Sequence, residues 1–176
     1  EATLDRWIGL LQHRSNGAAF FGDVGMYFLP YVEHLLDCWP DARFIVLRRD
    51  REATIQSFLN KTEGRNHWMD HDGTTWAHDP RWDASFPTFD AQDKETALRH
   101  YWDAYYAEVE RLQQAHPEHI ATFDMEALNS EAGRTANHDH AGIPRDGREL
   151  EGTFHQNKDT LWKRWMARLH EMRRSA

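Results

Sequence analysis

The residues best suited to chemistry stand together in "FIVLRRDREATIQSF", residues 44–58. Four apolar residues run straight into Arg48, Arg49, Asp50 and Arg51, and a hydroxyl, Ser57, follows eight residues after Arg49. A guanidinium is a planar fork matched to phosphate oxygens, and a serine hydroxyl can add a further donor. Where an apolar strand gives way to a helix, an anion also meets free helix amides. Phosphate binding is the chemistry expected at this point. On composition alone, the same residues also describe an exposed basic turn.

A second group lies in "GRNHWMDHDGTTWAHDPRWDASFPTFD". His67, Asp70, His71 and Asp72 raise the question of a metal, since histidines at i and i+4 can share a helix face. The stretch carries Gly and Pro, however, and follows no strict zinc or calcium spacing. No metal is expected. Trp68, Trp76 and Trp82 offer flat apolar faces with an indole N–H, suited to stacking on sugar rings or aromatic acceptors. The loop therefore reads as a lid over an acceptor, with at least one tryptophan simply packing it onto the body.

The elements that must hold these groups alternate between helix and strand. Residues 3–13 place Leu4, Trp7, Ile8 and Leu11 on one helical face. "AAFFGDV" reads as a short strand, and "MYFLPYVEHLLDCW" as a helix that Pro40 helps to end. "RFIVLR" suits a buried parallel strand, and "REATIQSFLNKT" follows it as a helix. After the polar loop at 65–90 comes the longest periodic helix, "KETALRHYWDAYYAEVERLQQAH", then a short strand, "HIATF". A polar, helix-prone segment leads to "GIP", and residues 158–173 form a basic amphipathic helix with Leu161, Trp165 and Leu169 on its buried face. This order predicts an α/β fold with a mostly parallel sheet between layers of helices.

Bulk properties agree with one globular domain over residues 1–176, long enough for a sizeable core. A net charge of -8 argues against a general nucleic-acid surface. The single cysteine, Cys38, excludes an internal disulfide framework and fits a reducing compartment, so a cytoplasmic location is expected. No apolar run reaches the ~20 residues needed to cross a bilayer, and no membrane partner is expected. The oligomeric state leaves no mark in the sequence.

At this point a resemblance becomes visible. "WPDARFIVLRRDREATIQS" is similar to the segment "FPDAKFIVLVRDPRDVVQS" found in sulfotransferases that use 3′-phosphoadenosine 5′-phosphosulfate. That family binds a 3′-phosphate through an Arg followed eight residues later by a Ser, and Arg49 and Ser57 occupy those positions. "FFGDVGMYFLPYVEHLL" looks like the family's "vGeKtpnYl" region, and "HPEHIATFDMEALNSEAGRTANHDHAGIP" resembles its "fPervlvlrYEdL…flGlp" ending. The likeness spans roughly residues 20–144, in order.

The resemblance implies a three-layer sulfotransferase fold related to the P-loop nucleotide-binding proteins. It also implies transfer of a sulfuryl group to a hydroxyl or amine of a carbohydrate or small-molecule acceptor. In one branch of the family a carboxylate near the second strand is the base, and Asp23 falls there; His67 and His71, with His78 nearby, are the alternatives. Lys158 would be the late basic residue closing over the nucleotide. Two departures stand out. The family's opening "PrSGTTwL" loop has no counterpart, since "SNGAAFFG" lacks a basic residue before Ser or Thr, and truncation of a longer parent is the expectation. The family's "KTP" is Val24-Gly25-Met26. Two alternatives follow: a catalytically inactive nucleotide-binding module on the same fold, or a P-loop kinase relative.

Overall fold

The computed structural model describes residues 2–61, 87–148 and 150–151. Its centre is a pair of parallel strands, β1 (Phe44–Arg48) and β2 (Ile120–Asp124), in register from Phe44↔Ile120 to Arg48↔Asp124. Helices α1 (Ala2–Arg14) and α2 (Val32–Cys38) precede β1, α3 (Arg51–Lys61) and α4 (Lys94–Ala115) lie between the strands, and α5 (Glu131–Ala141) follows β2. Single 3₁₀ turns cover Met26–Tyr31, Met125–Asn129 and Arg145–Gly147. Strand, helices and parallel strand in this order make the fold α/β, as the alternation predicts.

Three sequence expectations need correction. Residues 18–24 form no strand: no ladder partner reaches them among the described residues, and Val24 is left 95% exposed. The helix expected over 26–39 is divided, because Pro30 cannot donate the bond an α-helix needs there. The tighter 3₁₀ turn takes Met26–Tyr31, and regular α-helix starts only at Val32. Finally, β1 is covered on one face. Phe44 and Val46 turn inward, whereas Ile45 and Leu47 stay 38% and 45% exposed. The expected helix at 158–173 and most of the loop at 65–90 lie outside the described residues.

Two apolar clusters hold the elements. Val32 and Leu36 of α2, Leu112 of α4 and Ile120 of β2 pack with Phe44 and Val46 beneath the sheet. Ile55 of α3 meets Ala97, Leu98 and Tyr101 of α4, with Phe58, Leu59 and Phe89 at the margin. Burying such a side chain stabilises by roughly 1.5–3 kcal/mol, so these few contacts dominate the docking of α3 and α4. Two histidines stand at the amino end of β1: His119 Nδ1 lies 3.0 Å from the Ala42 carbonyl, and His140 Nε2 lies 3.1 Å from the Phe44 carbonyl.

Candidate functional site

The carboxyl end of β1 sorts the four charged residues that follow it. Arg48 donates to Asp124, its partner across the ladder, at 2.9 Å. Asp50 caps α3: its carboxylate accepts the Ala53 amide at 2.8 Å, and its carbonyl accepts the Thr54 hydroxyl at 2.7 Å. Arg51 forks onto Asp103 of α4 at 2.9 and 2.6 Å and lies 5.8 Å from the centre of the Trp102 ring. Glu52, beside it, accepts both terminal nitrogens of Arg99. Arg49 alone in the run has no carboxylate partner among the described residues.

The strand end just before Arg49 is nevertheless fastened to α4. Tyr106 of α4 donates its hydroxyl to the Leu47 carbonyl at 3.3 Å. Burial raises the Tyr106 pKa, and the Arg49 amide and the Arg48 charge partly offset that rise. Tyr106 therefore stays neutral and works as a clasp. Beyond Arg49, Ser57 sits in the second turn of α3, half-buried, with no bonded partner for its hydroxyl among the described residues. Its neighbours Ile55 and Phe58 face the core and fix the helix around it.

Asp23 is held differently. Its carboxylate accepts the Trp7 indole at 2.8 Å, the Val24 amide at 2.8 Å and the Tyr27 hydroxyl at 3.1 Å. The Trp7 bond is the main cause of a pKa below the usual carboxylate value, followed by the Val24 amide. Gly25 makes the arrangement possible: a Cβ there would lie 2.4 Å from the Tyr27 ring. A carboxylate so occupied takes up a proton reluctantly, and its visible work is to fasten α1 to the 3₁₀ turn.

A cleft of about 250 Å³ opens between that turn and α4. Met26, Leu29, Pro30, Pro87, Tyr101 and Tyr105 line its apolar wall, and Glu108 stands at the rim. Burial raises both phenols, Tyr105 to about 12, so they can donate hydrogen bonds but cannot act as bases. Arg111 pairs with Glu108 and holds its carboxyl below the usual range. Tyr105 adjoins Tyr106 on α4, which sets one wall of the cleft next to the residue that clasps the Leu47 carbonyl.

Residues 1–127 match the family model described as the sulfotransferase family. The chain belongs to that family. No curated protein and no solved structure matches it. Family membership makes it a transferase domain, and no helix among the described residues is long and apolar enough to cross a membrane. Sequence reasoning missed Tyr106 and Asp103, the α4 residues that organise the strand end. Their i, i+3 spacing in "DAYY" put them on one face, but nothing local said that β1 would lie against it. The candidates His67, His71, Trp68, Trp76, Trp82 and Lys158 lie outside the described residues.

Proposed function

We propose that this domain moves a sulfuryl group from 3′-phosphoadenosine 5′-phosphosulfate to a hydroxyl or amine of a carbohydrate or small-molecule acceptor. The observation that carries the reading is the half-buried guanidinium of Arg49, left without a carboxylate while its charged neighbours are all engaged. A cation just past a strand end that Tyr106 fastens at Leu47, with a serine hydroxyl on the next helix, fits the 3′-phosphate of the donor. Arg48 and Arg51 could not serve without abandoning Asp124 and Asp103. The apolar cleft beside Tyr105 is the acceptor site in this reading, with the tryptophans of residues 68–82 as its lid. The larger fold is that of the P-loop-related sulfotransferases.

Transfer of a sulfuryl group depends on in-line positioning, cations at the leaving phosphate and a base at the acceptor. Arg49 and Ser57 contribute the positioning. Among the described residues, Asp23 remains the carboxylate at the family's base position, and its three bonds favour an anchoring role.

The test is calorimetry with 3′-phosphoadenosine 5′-phosphate. Arg49→Ala should weaken binding by about 2–3 kcal/mol, the worth of charge-assisted bonds at a partly buried site. Arg48→Ala, which removes a group already paired, should change it far less. Equal losses, or none in Arg49→Ala, would remove the residue from the site. Tight nucleotide binding with no sulfate transfer to any acceptor would favour the inactive binding module instead.

A further inference from the structure

A second cluster of ligating atoms stands apart from the strand end. Asp5 of α1 meets His34 and Cys38 of α2, and one ligating atom from each lies within 4.8 Å of the other two. His34 and Cys38 are four residues apart, hence on one helix face. Cys38 Sγ lies 3.8 Å from His34 Nε2, and Asp5 Oδ1 lies 2.7 Å from the same nitrogen.

That shared nitrogen decides what the cluster can do. A cysteine–histidine–carboxylate relay needs the thiol on one ring nitrogen and the carboxylate on the other, so that a proton can cross the imidazole. Here both groups address Nε2, and no relay can form. Oxygen, nitrogen and sulfur donors gathered within 4.8 Å of one another are instead the kind of set a cation uses. Zinc takes this mixed set tetrahedrally, with metal–ligand distances of about 2.0–2.3 Å. Those distances put nitrogen and sulfur roughly 3.6 Å apart, close to the separation seen here, and nitrogen and oxygen about 3.4 Å apart. Asp5 would need to withdraw only slightly, and its side chain is 41% exposed and free to do so.

We infer that Asp5, His34 and Cys38 form a binding site for a thiophilic divalent cation, zinc above all, with a fourth position open to water. On binding, the Cys38 thiol gives its proton to solvent and ligates as thiolate. His34 gives up its Nε2 proton and keeps one on Nδ1, so that Nε2 has a free lone pair, and the Asp5–His34 hydrogen bond is exchanged for two metal bonds. The cation would clamp α1 onto α2. The clamp has a clear use, because Trp7 and Leu10 of α1 are each 41% exposed and apolar burial holds that helix only thinly. No metal is expected anywhere in the chain from its sequence, because residues 5 and 34 are joined by no motif, only by the fold.

Cobalt(II) titration tests the inference on the whole chain. Cys38 is the only cysteine, so a thiolate-to-cobalt charge-transfer band can arise nowhere else, whatever the 12 histidines bind. The expected result is a band that saturates at one equivalent, is bleached by zinc and is absent in Cys38→Ser. His34→Gln and Asp5→Asn should each weaken the cobalt affinity at least about tenfold, and zinc should raise the melting temperature of the wild type more than that of His34→Gln. A wild-type chain without the band would overturn the site. So would a band of equal affinity in both substituted chains, which would mark a lone surface thiol.

Discussion

Two adjacent arginines leave β1 in opposite circumstances: Arg48 is committed to Asp124, while the side chain of Arg49 is uncommitted among the described residues. The fork itself is what a phosphate would use, so Arg49→Lys should still cost roughly 1–2 kcal/mol of nucleotide binding, measurable by the same calorimetry. Asp23 invites a sharper separation of roles. As an anchor, Asp23→Asn should lower stability by no more than about 1 kcal/mol at this exposed position and leave kcat unchanged. Its depressed pKa sets the sign: the stabilisation is present above the ordinary carboxylate range and is lost as pH falls through the lowered folded value. Thermal melts from about pH 7 to about pH 3 should therefore show the two proteins converging in acid. A kcat reduced by ~10²–10⁴ with unaltered stability would instead identify Asp23 as the base.

Among the elements, those with a strong local pattern were legible in the sequence. β1, α3, α4 and β2 lie where their apolar runs and periodicities put them, because propensity and burial agree there. Residues 18–24 failed as a strand for a non-local reason, since strand character is realised only against a partner edge. Arg49 and Ser57 were legible as candidates, but which of three arginines remains uncommitted depends on Asp124 of β2 and Asp103 of α4, 76 and 52 residues away in the chain. Two elements carry direct tests. Asp50→Ala removes the α3 cap and should cost about 1 kcal/mol in denaturant unfolding. In α5, a Cβ on Gly133 would fall 2.0 Å from the Ala127 carbonyl oxygen, so Gly133→Ala should destabilise by about 1–3 kcal/mol as the helix shifts off the preceding turn.

At the scale of the molecule, α4 is the spine. Its 22 residues span about 33 Å, long enough for one end to meet α3 through Leu98 and the other to meet β2 and α2 through Leu112. Both apolar clusters therefore depend on a single helix, and the clasp on the Leu47 carbonyl lies between them at Tyr106. Leu98→Ala and Leu112→Ala should each lose about 2–5 kcal/mol in urea unfolding. Two losses that differ greatly, or two separate unfolding transitions, would show that the clusters melt independently.

The pairing of Phe44 with Ile120 also fixes an order of events during synthesis. The two strands are 76 positions apart, and a loop of that size must close before the first ladder bond forms. The contacts between α3 and α4 span less chain and are complete once residue 105 has emerged. A growing chain can therefore join those helices early, yet the seat of Arg49 gains its facing strand only after Asp124 leaves the ribosome. Until then the exposed edge of β1 is open to any other extended segment, which makes the interval between residues 48 and 124 the period of greatest aggregation risk.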